Sequence, residues 1–297
     1  VPEYGFTAEK GGFHMEKRVR VAAVGDNCMD CYDDLGQSFP GGNPVNVAVY
    51  IRRLGGEASY TGAVGSDSSG RRMIEAIAAK GVDTSHVKVL EGKTAVSHVR
   101  LVEGDRVFGE YEEGVLADFR LCPEDISYLC AHDLVVTGIW GMIEGDLPSI
   151  FKKVPVAFDF ANKFASPIVD QAIPYVTYAF FSYDEESRED FAKRCCQLGL
   201  AEKAAEEEML AGFMRAVQKL GPKVVIVTRG KAGSLAWDGS RLHCCGIVEC
   251  EVVDTMGAGD SFIAGFLYGV LGGKSIPEAM RTGAENSAVT LGYSGAW

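Results

Sequence analysis

The chain has 297 residues and a mass of 31.9 kDa, with 47% hydrophobic and 24% charged residues, the balance of one globular α/β domain with room for a small appendage. Against 41 Asp and Glu stand 29 Lys and Arg, a net charge of -12 that argues against nucleic acid or an anionic membrane surface as partner. No apolar run approaches the roughly 20 residues that span a bilayer, and nine scattered cysteines, an odd number, do not read as a secreted disulfide framework; a reducing cytoplasm is the expected compartment.

Residues 1–14 show no periodicity and no apolar signal-peptide core; they read as a leader outside the fold, with a single domain over 15–297. A strand over 20–24 runs into Gly25-Asp26-Asn27. Gly41-Gly42-Asn43-Pro44 then opens a helix, with Asn43 as the expected N-cap and Pro44 as the first helical residue. That helix carries Val45, Ala48, Val49, Ile51 and Leu54 and stops at Gly55-Gly56. A strand over 59–64 follows, and Ser66 or Asp67 caps a helix that Gly81 closes.

The texture changes over 94–102 and 106–111. Apolar and polar residues alternate around Glu103-Gly104-Asp105, which predicts a β-hairpin. Together with 31–39, the segment 94–115 is expected to form a small antiparallel sheet projecting from the body as a lid. Strands are predicted again over 134–137, 156–160, 179–182 and 224–228, with helical periodicity in the segments between them, including the charged 184–196 and 202–220. A late hairpin spans 235–237 and 242–245, and helices over 258–271 and 277–291 finish the chain. Strands alternating with helices predict a mainly parallel central sheet with helices on both faces.

In such sheets ligands bind beyond the carboxyl ends of the strands. The polar loops gather there: 25–30, 41–43, 228–230 and 254–260. The most informative is Asp254-Thr255-Met256-Gly257-Ala258-Gly259-Asp260. At the start of a helix its backbone N–H groups lack intrahelical partners and attract an anion. Glycines at 257 and 259 allow close approach of a phosphate. Asp260 in the same turn would repel a merely bound phosphate, but it suits phosphoryl transfer, in which one group holds the moving charge and another takes a proton from the attacking hydroxyl. Cys28 and Cys31 form a lone C-x-x-C with no answering cluster, which favours plain thiols. Trp140 and Phe160 read as core residues, with lining of a ligand site as the alternative.

The segment Gly41-Gly42-Asn43-x-x-Asn46, the turn Thr228-x-Gly230 and the closing Asp254–Asp260 heptapeptide together resemble the ribokinase (PfkB) family of carbohydrate kinases, in order from Val19 to Trp297. The resemblance implies a ribokinase-like α/β fold with the β lid over a sugar, and ATP as phosphoryl donor. It implies Asp260 as catalytic base, with Gly257, Ala258 and Gly259 around the γ-phosphate. Asp30, Gly42, Asn43 and Asn46 take the sugar-binding positions, and Thr228, Gly230 and Thr255 join the glycines at the nucleotide. Asp254, with 294–296, resembles a monovalent-cation site for which potassium is the implied occupant. The family's Asn-x-x-Glu near Mg2+ stands here as Ser182-Tyr183-Asp184-Glu185, keeping Glu185 and losing the asparagine.

The stretches 25–30, 41–50, 105–115, 157–160 and 295–297 resemble the branch of the family that acts on fructoselysine. That substrate carries an ammonium beside the sugar, for which Glu110, Glu112 and Glu113 of the lid are candidate partners. A kinase for fructose, ribose or a nucleoside stays open as the alternative, as does a silent sugar or nucleotide sensor on the same scaffold. Exposed strand edges of the lid suggest a homodimer through it.

Overall fold

The computed structural model describes residues 18–32, 36–102, 105–200 and 205–297, with the backbone alone over 100–102 and 105–108. The expected leader, the turn at Glu103-Gly104, and residues 33–35 and 202–204 lie outside the described residues.

In chain order the strands are β1 (Arg20–Val24), β2 (Cys28–Tyr32), β3 (Gln37–Gly41), β4 (Glu57–Gly65), β5 (Asp83–Leu90), β6 (Val96–Val102) and β7 (Asp105–Glu112). After them come β8 (Leu134–Gly138), β9 (Val156–Asp159), β10 (Tyr178–Ser182), β11 (Val224–Thr228), β12 (Ser234–Trp237) and β13 (Leu242–Cys245). The helices are α1 (Asn43–Arg53), α2 (Ser68–Ala79), α3 (Pro123–Leu129), α4 (Leu147–Phe151), α5 (Pro167–Ala172), α6 (Arg188–Gln197), α7 (Glu206–Gln218), α8 (Ala258–Leu271) and α9 (Ile276–Leu291).

The main sheet has nine strands in the order β13-β12-β11-β10-β9-β8-β1-β4-β5. From β11 to β5 every neighbour is parallel, and β12 and β13 add an antiparallel edge. Both faces are buried, which is why the strands read as nearly continuous apolar runs. Along β1, Ala22 and Val24 face one core with Leu129, Ile150, Val169, Phe191 and Phe213 from α3 to α7. Val21 and Ala23 face the other, with residues of α1, α2, α8 and α9. The chain leaves β1 toward β4 and β5, then returns to the other side of β1 at β8 and continues outward. The gap between the ends of β1 and β8 is therefore the point where strand order reverses, the place where open α/β sheets bind ligands.

A second sheet, ordered β3-β2-β6-β7, forms the lid. Its outer pairs β2–β3 and β6–β7 are antiparallel, and a parallel β2–β6 pair joins them. Lid strand β2 begins at Cys28, earlier than the expected start at residue 31. Asp30 therefore rides on the lid, opposite Phe39 and beside Ser97, and not in the loop after β1. The pairing that extends the strand comes from residues almost 70 positions away, beyond the reach of local sequence pattern.

Other expectations are corrected in detail. Gly42 is the N-cap of α1 and Asn43 its first residue, because the Asn43 side chain is directed into the site and makes no cap. Residues 184–187 form a turn before α6, closed by the Ser187 amide donating to Asp184 Oδ1 at 2.7 Å. Phe160 is core, stacked on Phe158 and Phe181, whereas Trp140 is 47% exposed. The charged face of α6 holds one buried member, Arg194, which pairs with Asp170 at 2.7 Å.

Candidate active site

Four elements bring their polar ends together at the reversal point: the loop after β1, the end of β9, and the first turns of α1 and α8. Asn43 connects them. Its side-chain Nδ2 donates to Asp159 Oδ2 at 2.8 Å and to Asp260 Oδ1 at 2.7 Å, and its backbone N–H donates to Asp26 Oδ2 at 3.3 Å. One turn further along α1, Asn46 Nδ2 donates to the other oxygen of Asp260 at 2.6 Å. The spacing explains the motif: residues three apart on a helix share a face, so 43 and 46 both meet the carboxylate at the start of α8. Gly42 precedes them with φ 110, and a Cβ there would lie 2.6 Å from Asn27 Cα. No other residue fits that bend without strain.

Three carboxylates thus surround one asparagine. Burial pushes Asp26 and Asp159 up to about 6. It pushes Asp260 up to about 8, with the charges of Asp159 and Asp26 adding to the rise and the two asparagine amides opposing it. Like charges in a poorly solvated site disfavour one another's ionisation. Asp159 is further held by the Ala161 N–H at 2.9 Å, and Asp26 keeps one buried oxygen without a partner. A group of this kind, raised into the neutral range at the strand-order reversal, is suited to accept a proton. Each Asp260 oxygen uses one lone pair on an asparagine and retains another.

The heptapeptide supplies the other half of the site. Gly257, the N-cap of α8, sits in the left-handed region at φ 72, and a Cβ there would strike the Tyr50 hydroxyl. The helix has no side-chain cap. Ser261 makes the first intrahelical bond back to Gly257, and the Ala258 amide turns to the Thr255 carbonyl at 3.3 Å. The amides of Gly259 and Asp260 are left as the open donors of the first turn. A Cβ at Gly259 would meet nothing, so this face is accessible. Of the three expected phosphate-facing residues, Ala258 is the one turned aside.

Asp254 ties this loop down. Its Oδ1 accepts from the Met256 amide and its Oδ2 from the Gly295 amide, both at 2.8 Å. The Ala296 carbonyl accepts hydroxyls from Tyr50 and, at 3.1 Å, Tyr293. Both lone pairs of that carbonyl are therefore used. These residues form a latch between the loop and segment 293–297.

Asp30 accepts from the Cys28 thiol at 3.3 Å, and Gly41 faces it so closely that a Cβ would lie 2.3 Å from Asp30 Oδ2. Glu112 is paired with His98 at 3.5 Å, while Glu110 and Glu113 are exposed. Toward the sheet edge, the Ser182 and Thr228 hydroxyls lie 3.1 Å apart at the ends of β10 and β11. Gly230 has φ 51 with open space beside it, and Glu185 is exposed in the turn after β10. The sequence reading missed Asp26 and Asp159 as members of the site. Asp26 lies in a loop already singled out, while Asp159 carries only the weak signal of an acid ending an apolar strand.

The comparisons agree with this geometry. A profile described as pfkB family carbohydrate kinase matches residues 34–297. A fructoselysine 6-kinase of Shigella flexneri is 41% identical over 278 residues, 93% of this chain and 99% of that protein. A fructosamine kinase of Bacillus subtilis is 36% identical over 283 residues, 94% and 93% of the two chains. Among solved structures, an Arabidopsis thaliana ribokinase complexed with ribose and ATP superposes with a TM-score of 0.79 at 21% identity, covering 94% of each chain, which shows the ribokinase-like fold. With an asparagine-held carboxylate, an uncapped helix start and a lid at one reversal point, and a family match along nearly the whole described sequence, the chain belongs to the pfkB family of carbohydrate kinases, which phosphorylate sugars with ATP.

Proposed function

We propose that this kinase transfers the γ-phosphoryl group of ATP to the 6-hydroxyl of fructoselysine or a related fructosamine. The observation that carries the reaction is Asp260, held by Asn43 and Asn46 next to the open first turn of α8. The substrate rests on similarity to the fructoselysine and fructosamine kinases over 93% and 94% of the chain. Asp260 takes the hydroxyl proton as the sugar oxygen attacks in line. The amides of Gly259 and Asp260 stabilise the charge that develops on the transferring group. General-base catalysis of this type contributes about 10²–10⁴-fold, roughly 3–5 kcal/mol of barrier.

Asp30, Gly42, Asn43 and Asn46 hold the sugar positions between body and lid, with one Nδ2 hydrogen of Asn46 left uncommitted. Thr228, Gly230 and Thr255 receive the nucleotide. Mg2+ keeps most of its waters and takes one or two carboxylates beside substrate phosphates, a role that the exposed Glu185 fits. When bound with ATP, the ion neutralises charge on the phosphates. The lost family asparagine is Ser182, whose hydroxyl is already engaged by Thr228. No helix among the described residues is long and apolar enough to cross a membrane, and the free cysteines suit a reducing cytoplasm. The edge strands β3 and β7 of the lid are the surfaces through which a homodimer would form.

A coupled assay of ADP release with fructoselysine, fructose, ribose and adenosine tests the substrate. The reading predicts the highest kcat/KM for fructoselysine. A higher value for fructose or ribose would move the enzyme to another branch of the family.

A further inference from the structure

The amide of an asparagine presents a donor on one side and an acceptor on the other, and a half-turn exchanges them. Which side Asn46 shows Asp260 therefore decides whether it steadies the carboxylate or repels it. The answer is fixed by a residue outside every glycine motif. The indole Nε1 of Trp297 donates to Asn46 Oδ1 at 2.7 Å, and an indole N–H is a donor only. With its oxygen committed to Trp297, Asn46 has to offer Nδ2 to Asp260, which it does at 2.6 Å.

We infer that Trp297 is a positioning residue for the catalytic base, acting through the orientation of the Asn46 amide. The inference rests on the reading of Asp260 as base. Segment 293–297 is built to hold this contact. Tyr50 and Tyr293 fix the Ala296 carbonyl, Gly295 is latched to Asp254, and Lys80 lies 5.6 Å over the Trp297 ring. The same segment thus tethers the anion loop at Asp254 and orients the base at Asp260, so the two halves of the site keep a common register.

The groups that face Asp260 are few. Asp26 comes from the loop after β1, Asp159 from β9, and Asn43, Asn46 and Tyr50 from α1. On its own helix, Ser261 carries the Arg53 guanidinium, which bonds Ser261 Oγ at 2.9 Å. Among the described residues, none of Asp26, Asp159 and Asp260 has a Lys, Arg or His ion-pair partner. The two asparagine amides are therefore the groups that favour the ionised base, and an amide free to turn weakens that support.

The test is Trp297→Phe, which keeps a ring under Lys80 and removes the donor. With saturating ATP, kcat at neutral pH is expected to fall roughly five- to tenfold, the effect of one hydrogen bond in a charged network. The acidic limb of the kcat–pH profile should move to higher pH. In an Asn46→Ala background the same substitution should have no further effect on that limb, and Trp297→His, which restores an N–H, should recover part of the loss. An unchanged profile in Trp297→Phe, or an equal shift in the Asn46→Ala background, overturns the inference. Asp260→Asn is run beside them: if it is inactive while Trp297→Phe behaves as wild type, the positioning role fails and the base survives. If Asp260→Asn turns over normally, both fail.

Discussion

Asp159 and Asp260 share one amide: Asn43 gives one side-chain hydrogen to each, at 2.8 and 2.7 Å. The asparagine holds apart two carboxylates that would otherwise repel each other, and its own oxygen has no partner. That oxygen points at Gly138, where a Cβ would approach it to 2.7 Å. The missing side chain of Gly138, at the end of β8, is therefore what leaves space for the contact.

Asn43→Ala removes both bonds. Each hydrogen bond to a charged group contributes about 1.5–3 kcal/mol, although the shared geometry makes the losses less than additive. We expect kcat/KM for the sugar to drop about 10–100-fold, with the KM for ATP within roughly twofold, in steady-state kinetics at saturating nucleotide. A change confined to the ATP KM would place Asn43 at the nucleotide instead.

The pH dependence follows from Asp260, raised to about 8 chiefly by burial. A base has to be ionised, so activity is complete above that pH and is lost as pH falls through it. The log of kcat/KM for the sugar should drop with unit slope on the acid side of the profile. A limb near the ordinary carboxylate range would contradict the upward shift assigned to Asp260.

The same shift carries a stability cost. Between about pH 4 and pH 8 the folded state holds a proton on Asp260 that the unfolded chain has released. The penalty is absent below the unfolded value and complete above the folded one. Asp26 and Asp159, raised to about 6, act in the same direction over a narrower window. The melting temperature of Asp260→Asn minus that of wild type should therefore grow as pH rises from 5 to 8.5, by a few degrees. Scanning calorimetry without nucleotide or sugar measures it, and a difference independent of pH would contradict the assigned shift.

Gly257→Ala tests the backbone of the anion loop. A side chain at φ 72 is strained by about 1–2 kcal/mol, and here the added carbon also meets the Tyr50 hydroxyl. We expect a lower melting temperature together with a loss of kcat greater than 100-fold, since the first turn of α8 has to move. Near-normal kcat would show that the loop amides do not hold the transferring group.

Much of this site was legible in the sequence because its parts are local. The Gly41-Gly42-Asn43-x-x-Asn46 segment and the 254–260 heptapeptide carry their turn chemistry, helix starts and charge within a few residues. What escaped was long-range. Asp159 lies 116 positions from Asn43 and Trp297 lies 251 from Asn46, and their roles depend on how the strands are ordered. Asn43 was misread as a cap for the same reason: its local pattern favours capping, but two distant carboxylates compete for the amide. Strand β5 and the short helix α3 were also missed, since short elements packed on a buried sheet show little periodicity of their own.

The most direct test of the whole account is the turnover of Asp260→Asn with fructoselysine and ATP, measured beside its ATP affinity. The account predicts a kcat about 10²–10⁴-fold below wild type with nucleotide binding retained. Wild-type turnover by Asp260→Asn would contradict it.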